Sequence, residues 1–288
     1  MAAHEAIVVV KSALADDVGQ AALDRALEDD DQLVLLYQPI HDARSGAIVS
    51  AEALLRQRRE NGELREASII HEAAEDSCGP ELFALDHILV RKAYTDAAQW
   101  QSIAPDVRLN INLSPREFQE GHVLERLREL VQSCGIDTCK VNIEITETAH
   151  IEDLDSVEKI LRTLKKELGV GLWLDDFGTG HSAVDHLQHF PVDGIKLSGA
   201  FTQPLPDDER CRAITRNLLN LAHDIGLQVI AEEVERRDQL EFLLEHGCEF
   251  IQGFLFSKPM KASALQELVS RPGNTDRAAA PDRESRSS

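Results

Sequence analysis

Eight short apolar segments recur along the 288-residue chain, and longer amphipathic segments separate most of them. Short apolar runs predict buried strands, and strands that alternate with helices predict a parallel sheet with helices on both faces. A count of eight favours a closed β/α barrel over an open sheet. The predicted strands are residues 33–40, 47–55, 109–114, 140–146, 171–176, 194–198, 227–232 and 249–254.

The first two predicted strands are joined by a few residues around Ser45 and Gly46, which is the length of a hairpin. A parallel crossover needs a dozen or more residues, so these two strands are expected to pair antiparallel. The predicted fold is therefore an α/β, TIM-like (β/α)8 barrel with an antiparallel first strand. The predicted helices are residues 82–100, 121–134, 152–168, 207–225 and 236–246.

The same pattern predicts an N-terminal lead-in over residues 1–19, a barrel over 20–268 and a polar tail over 269–288. Residues 271–288 carry no large apolar side chain, so the tail is expected to be disordered. No apolar run approaches the roughly 20 residues that span a bilayer, and residues 6–10 are too few for the apolar core of a signal peptide. We therefore expect a cytoplasmic protein without a membrane segment.

The chain carries a formal net charge of −21, which narrows the range of partners. DNA, RNA and anionic membranes attract basic surfaces, so none of them is expected to bind here. A small anionic ligand is compatible with this charge if divalent cations lie between it and the carboxylates of the protein. The five cysteines form no Cys-x-x-Cys pair, which indicates neither a disulfide framework nor a thiolate zinc site.

Polar and apolar side chains alternate along two of the predicted central strands, LNINLS (109–114) and VNIEIT (141–146). Successive side chains on a strand point to opposite faces. In a half-exposed antiparallel sheet, the polar face would simply contact water. With helices predicted outside the strands, we expect the apolar side chains to pack against those helices and the polar ones to point into the barrel interior.

Seven of the predicted strands carry a polar side chain near the carboxyl end, where β/α barrels build their active sites. Carboxylates crowded there would repel one another unless cations neutralise them, and oxygen ligands suit hard ions such as Mg²⁺ or Mn²⁺. Asp175 would point inward and Asp176 would begin the following loop, so the pair could serve two adjacent ions. The seven polar residues are Glu52, Asn112, Glu144, Asp175, Lys196, Glu232 and Gln252.

An ordered set of short motifs resembles the EAL-domain family of cyclic-di-GMP-specific phosphodiesterases, and the resemblance extends from about residue 20 to 268. The motifs are QPI (38–40), EALLR (52–56), NLSP (112–115), EITE (144–147), DDFGTG (175–180), PVDGIK (191–196), AEEVE (231–235) and QGFLFSKPM (252–260). The resemblance implies an enzyme that hydrolyses cyclic di-GMP (c-di-GMP) to linear 5′-pGpG with two divalent ions, Mg²⁺ or Mn²⁺. It also implies a homodimer that forms through the Asp175–His181 loop and a nearby helix.

The resemblance further implies a role for each matching residue. Lys196 would orient or activate the attacking water, and Glu147 would steady the loop after the aspartate pair. The first ion would be bound by Glu52, Asn112, Glu144 and Asp175. Asp175 would also bind the second ion, together with Asp176 and Glu232. Gln38 and Arg56 would contact the dinucleotide, and Gln252 would position groups near the site.

Three positions depart from the usual pattern of this family: Ser198 replaces an aspartate, Glu233 a glycine and Gln57 an aromatic residue. None of them is an implied metal ligand, so an active phosphodiesterase is still expected. The alternatives are a weakly active or inactive domain that serves as a c-di-GMP receptor for a protein partner, and an interaction module that no longer binds nucleotide. For Arg56, a salt bridge at the barrel rim competes with a role in substrate binding.

Overall fold

A computed structural model describes the part of the chain that contains the predicted barrel. Glu147, the lead-in over 1–19 and the tail from residue 272 onward lie outside the described residues, so the expectations for them and for the domain boundaries stay predictions. The described residues are 23–24, 32–59, 61–67, 70, 80–113, 118, 123–134, 137–146, 153–180 and 183–271.

Eight strands close into a barrel, as the sequence predicts. Strand β1 is antiparallel to both of its neighbours, β2 and β9, and the strands from β2 to β9 around the barrel pair in parallel. The short β3, which was not predicted, extends β2 as a hairpin outside the closed ring. The strands are β1 Leu33–Asp42, β2 Ile48–Arg58, β3 Leu64–Glu66, β4 Arg108–Leu113, β5 Val141–Thr146, β6 Gly171–Phe177, β7 Gly194–Leu197, β8 Gln228–Ala231 and β9 Phe250–Ile251.

Helices follow most of the parallel strands, and all five predicted helices are present within about two residues of their expected ends. Within the described residues, three shorter helices were not predicted: Ala183–His189, Gly199–Thr202 and Ala262–Val269. The helices are α1 Pro80–Gln101, α2 Val123–Cys134, α3 Leu154–Leu168, α4 Ala183–His189, α5 Gly199–Thr202, α6 Glu209–Asp224, α7 Arg237–Glu245 and α8 Ala262–Val269. None of the helices in the described part of the chain has the length and apolar character needed to cross a bilayer.

The helix α3 illustrates how local sequence signals set these elements. Asp153 caps its N-terminus by accepting a hydrogen bond from the backbone N–H of Ser156 at 3.0 Å. Its apolar residues recur at helical spacing and bury one face, which includes Leu161 and Leu164. Gly169 ends the helix at φ 67°, in the left-handed region that glycine adopts without a steric penalty.

The strand faces divide as the alternation predicts, with one refinement. The apolar side chains of β4 and β5, such as Ile111 and Ile143, are buried in the main core between the strands and the helices. Inside the barrel, however, the lower part of the interior is apolar, because Ile40, Trp173 and Ile230 form a separate cluster there. The carboxylates lie toward the carboxyl ends of the parallel strands, whereas Asn142 and Arg108 bring polar groups to the base beside this apolar cluster.

Candidate active site

The predicted polar residues meet at the carboxyl ends of the parallel strands. Five of them lie on consecutive strands of the barrel: Glu52 on β2, Asn112 on β4, Glu144 on β5, Asp175 on β6 and Lys196 on β7. Two more of these residues directly follow a strand: Glu232 comes after β8 and Gln252 comes after β9. The antiparallel β1 adds Gln38, which pairs in register with Glu52.

Lys196 lies at the centre of this group and is fully buried. Its Nζ atom is 2.8 Å from Glu144 Oε2, 2.9 Å from Glu232 Oε1, 3.0 Å from Asp175 Oδ1 and 3.3 Å from Glu52 Oε2. A buried ammonium is tolerated only when it is paired and hydrogen-bonded. Four carboxyl groups share this one cation, so ionisation of all four would leave the cluster with a net negative charge.

Glu52 is the carboxylate with the most partners. Its Oε1 atom accepts a hydrogen bond from Asn112 Nδ2 at 2.8 Å, and its Oε2 atom accepts one from Gln252 Nε2 at 2.7 Å. Burial acts to raise the pKa of Glu52, but Lys196 and these two amides stabilise the ionised form and hold the pKa below its usual range. Glu52 is therefore a carboxylate at neutral pH.

The pKa values of the other three carboxyl groups in the cluster are raised, opposite to the shift of Glu52. Burial raises the pKa of Glu144 well above its usual range, and the neighbouring charge of Glu52 adds to the effect. Burial likewise raises the pKa of Asp175, and that of Glu232 to about 8. For Lys196, burial acts to lower the pKa, but the surrounding carboxylates outweigh it and raise the pKa well above its usual range. The cluster as it stands lacks positive charge.

A divalent cation would supply that charge, and the donor atoms fit one. Glu52, Glu144 and Asp175 each offer a carboxylate oxygen, and these oxygens all lie within 4.8 Å of one another. Hard cations such as Mg²⁺ and Mn²⁺ prefer carboxylate, amide and water oxygens over nitrogen or sulfur. The geometry thus brings together three of the four residues expected to bind the first ion, and Asn112 joins them through its hydrogen bond to Glu52.

The residues expected at a second ion are arranged less closely. Asp176 follows Asp175 in the left-handed region, at φ 52°, and its backbone N–H donates to Asp175 Oδ1 at 3.0 Å. Within the described part of the chain, Asp176 makes no ion pair with Lys196, whereas Glu232 does. The expectation that Asp176 begins the loop is wrong, because β6 continues to Phe177 through an irregularity in its pairing with β7. Asp176 therefore lies beside the cluster near the end of β6, and Glu232 lies within it.

A chain of hydrogen bonds beneath Glu144 was not predicted. Arg108 Nε donates to Asn142 Oδ1 at 2.8 Å, Asn142 Nδ2 to Asn110 Oδ1 at 2.9 Å, and Asn110 Nδ2 to Glu144 Oε1 at 2.6 Å. Each amide both donates and accepts, so the chain has one consistent direction that ends at Glu144. The alternation pattern did place Asn110 and Asn142 inside the barrel, but their pairing depends on the register between β4 and β5.

Gln239 is a second functional candidate that sequence reasoning missed. Its buried amide uses all of its hydrogen-bonding capacity: Oε1 accepts from the backbone N–H groups of Glu235 and Arg236, and Nε2 donates to the carbonyls of Thr202 and Gln203. These contacts join the segment after β7 to the segment after β8. They hold in place the backbone that carries Glu232.

Two of the departures from the family pattern lie side by side. Ser198 precedes α5 and makes no side-chain capping bond to it. Glu233 has φ 52°, and its carboxylate accepts a hydrogen bond from Gln203 Nε2 at 2.9 Å. The carboxylate lies against Gly199, where an added Cβ atom would collide with it. The space next to Ser198 is thus occupied by the Glu233 side chain.

Arg56 lies four residues beyond Glu52 on β2 and outside the carboxylate cluster. Its Nη1 atom donates to the carbonyl of Leu55 at 2.8 Å, and its Nη2 atom lies 4.0 Å from Glu66 Oε1. The salt bridge at the barrel rim, which was the alternative interpretation of Arg56, is therefore present, although it is long. Gln38 is buried deeper in the mouth, where its Oε1 atom accepts from Gln252 Nε2 at 3.3 Å.

An eight-stranded α/β barrel with one antiparallel strand and buried carboxylates at its carboxyl end is a TIM-like barrel, and its carboxylates offer the donor atoms for a divalent cation. Within that class, this chain belongs to the EAL domain family, because the sequence model of the EAL domain matches residues 20–259. The resemblance of its short motifs to this family is thereby confirmed.

Individual relatives agree with this assignment. The chain is 32% identical over 241 residues to the cyclic di-GMP phosphodiesterase NbdA of Pseudomonas aeruginosa, covering 83% of this chain and 30% of the relative. It is 32% identical over 250 residues to the cyclic di-GMP phosphodiesterase PdeR of Escherichia coli, covering 86% and 37%. The chain spans less than half the length of the curated relatives it matches.

A solved structure with the same fold is that of the PaMucR phosphodiesterase in complex with c-di-GMP. It superimposes with a TM-score of 0.77 at 30% sequence identity, covering 84% of this chain and 97% of that chain. The TIM-like barrel predicted from the sequence is thus confirmed by both the strand topology and this similarity.

Proposed function

We propose that this barrel is a phosphodiesterase that hydrolyses c-di-GMP to linear 5′-pGpG with two divalent cations, Mg²⁺ or Mn²⁺. One observation carries the proposal: four carboxylates converge on the buried Nζ atom of Lys196 at the carboxyl end of the barrel. The names of the relatives NbdA and PdeR, and the bound ligand of PaMucR, support the choice of c-di-GMP as substrate.

The first cation would be held by Glu52, Asn112, Glu144 and Asp175, and the second by Asp175, Asp176 and Glu232. Such ions, when bound, supply positive charge to the scissile phosphate and lower the pKa of a water molecule. They also account for how a protein with a net charge of −21 binds a substrate with two phosphates.

Lys196 acts as a cation and hydrogen-bond donor in this proposal, since its raised pKa keeps it protonated. A fixed ammonium can orient the attacking water and stabilise the negative charge that grows on the phosphate oxygens in the transition state. Because the lysine is fully buried, its charge is weakly screened by solvent.

The remaining residues bind or position the dinucleotide. Gln252 and Gln38 form a hydrogen-bonded pair in the mouth, and Gln252 also fixes Glu52. Arg56, on the same strand face as Glu52, can meet a phosphate or base at the rim if it leaves Glu66, which lies 4.0 Å away. Glu147 is proposed to steady the loop after the aspartate pair.

The proposal is tested by incubating the protein with c-di-GMP and separating the products by chromatography. In Mg²⁺ or Mn²⁺ we expect pGpG, and in excess EDTA no product. Ca²⁺ should bind but support little turnover, because its larger and more flexible coordination shell positions water poorly. Full activity in EDTA or Ca²⁺ would contradict the two-cation proposal. Tight binding of c-di-GMP without hydrolysis would favour the alternative function, a c-di-GMP receptor that signals through a protein partner.

We further propose that the active form is a homodimer. On α6 and at the cap that ends it, Ile214, Leu221 and Ile225 recur at helical spacing and are 37–48% exposed. Leu218 continues this stripe toward Gly178 in the loop after the aspartate pair. Exposed apolar stripes mark interaction surfaces in soluble proteins. Light scattering should give twice the monomer mass, and Leu221→Lys should halve it; a wild-type monomer with full activity would contradict the dimer.

A further inference from the structure

A cavity of about 410 Å³ opens at the base of the barrel. Its lining includes residues that begin parallel strands, among them Arg108 of β4, Gly171 of β6 and Phe250 of β9. The carboxylate cluster lies where the same strands end. The cavity is therefore separate from the candidate active site and faces the opposite side of the barrel.

The inner wall of this cavity is apolar and partly aromatic. Ile40, Trp173 and Ile230 close it from the barrel interior, and the Trp173 ring meets the Phe250 ring edge-on, with centroids 6.3 Å apart. A Cβ atom at Gly194 would collide with the indole, so glycine at this position allows the ring to lie close against β7. The cavity thus offers a flat surface suited to a compact apolar group.

Two cationic side chains, Lys165 and Arg108, lie on the polar side of the cavity, and they differ in their partners. Lys165 Nζ pairs with Asp193 Oδ1 at 2.7 Å, and Asp193 Oδ2 accepts the Leu172 N–H at 2.9 Å, so both side chains are engaged. Arg108 donates only to Asn142 Oδ1 and to the carbonyl of Val141, and among the described residues no carboxylate lies within ion-pair distance of it. Asp193 acts on the guanidinium only over a longer distance.

We propose that this cavity binds a small organic anion. A carboxylate or phosphate group would pair with the remaining N–H donors of Arg108, whose planar fork matches both groups, and an apolar or aromatic body would contact Trp173 and Ile230. The volume lies within the range of roughly 300–1,000 Å³ that is usual for small-molecule sites. The proposal does not depend on the hydrolysis of c-di-GMP.

Benzoate serves as the probe, and the fluorescence of Trp173 reports its binding. The chain has two tryptophans, so Trp100→Phe leaves Trp173 as the single fluorophore. Titrations are done in EDTA, so that no metal at the carboxylate cluster can bind the probe. We expect a saturable change in Trp173 emission with benzoate, and affinity at least about tenfold weaker for uncharged benzyl alcohol and for Arg108→Gln.

Two further variants keep this test decisive. Gln228 is exposed at the rim of the cavity, so Gln228→Phe fills the opening without disturbing the core and should weaken benzoate binding. Asp175→Asn, at the opposite end of the barrel, should leave the benzoate affinity unchanged. The proposal is overturned if no saturable change occurs, if folded Arg108→Gln binds benzoate as the parent does, or if Asp175→Asn alone abolishes binding.

Discussion

Lys196 Nζ lies 2.8 Å from Glu144 Oε2, and the other oxygen of that carboxylate accepts a hydrogen bond from Asn110 at 2.6 Å. Glu144 is completely buried, and a charge removed from water costs several kcal/mol unless partners compensate for it. Lys196 and Asn110 are the residues that do so. They therefore link the stability of the barrel to its capacity to bind metal.

Removing the lysine charge should destabilise the metal-free barrel. We expect Lys196→Met to lower the free energy of unfolding in EDTA by about 3–5 kcal/mol, because buried carboxylates lose their one cation. Mn²⁺ should restore more stability to this variant than to the wild type. Denaturant unfolding with and without Mn²⁺ measures both effects, and the exposed Lys166→Met serves as control. Equal stability of the lysine variant and the wild type in EDTA would contradict this account.

The hydrogen-bonded chain below Glu144 should tune metal affinity. Asn110→Leu keeps the branched shape of the side chain but removes the donor to Glu144, so we expect Mn²⁺ to bind about 10- to 100-fold more weakly. Isothermal titration calorimetry measures the affinity, and circular dichroism checks that the barrel is folded. Asn217→Leu, on the exposed face of α6, should leave it unchanged. An unaltered Mn²⁺ affinity in Asn110→Leu would show that the chain is only structural.

Glu233 should be strained at its left-handed φ of 52°. Glu233→Gly and Glu233→Ala both lose the hydrogen bond from Gln203, but only glycine relieves the steric penalty. We therefore expect the glycine variant to be about 1 kcal/mol more stable than the alanine variant. Chemical denaturation of the two proteins tests this directly. Equal stabilities would mean that the backbone relaxes around alanine without cost.

His41 should make stability depend on pH. Burial, with the ring stacked on Phe256, lowers its pKa, and this effect outweighs the hydrogen bond with the carbonyl of Gly46, which acts to raise it. The unfolded chain therefore binds the proton more readily, and the contribution of His41 is complete above about pH 6.5 and is lost as the pH falls below it. Between pH 7.5 and 5.5, the wild type should lose more stability than His41→Gln. The same loss in both proteins would contradict the assignment.

Much of the fold could be predicted because it is encoded in patterns with a short period. The alternation in residues 109–114 and 141–146 is sufficient to decide which side chains face the interior, and the hairpin around Gly46 is sufficient to orient β1. The short β3 and α5 could not be predicted, since three or four residues carry no clear periodicity. Their existence depends on neighbours, such as β2 for β3.

The candidate site shows the same limit. The strand ends predicted which residues would converge, and in the structure Lys196 lies within 3.3 Å of four of the predicted carboxylates. Neither the chain from Arg108 to Glu144 nor the contacts of Gln239 could be predicted, because they depend on the register between strands and on loops that approach only in the folded barrel. The left-handed conformation of Glu233 is likewise set by its surroundings rather than by its residue type.

The hydrolysis of c-di-GMP by Lys196 and the surrounding carboxylates is tested most directly by the initial rate of pGpG formation in Mn²⁺, measured for the wild type and for Lys196→Ala. We expect pGpG as the product of the wild type and a rate lower by at least about 100-fold in the variant, with c-di-GMP affinity largely retained, since the lysine acts in the transition state. An unchanged rate in Lys196→Ala, or a wild type that binds c-di-GMP and leaves it intact, would contradict the claim.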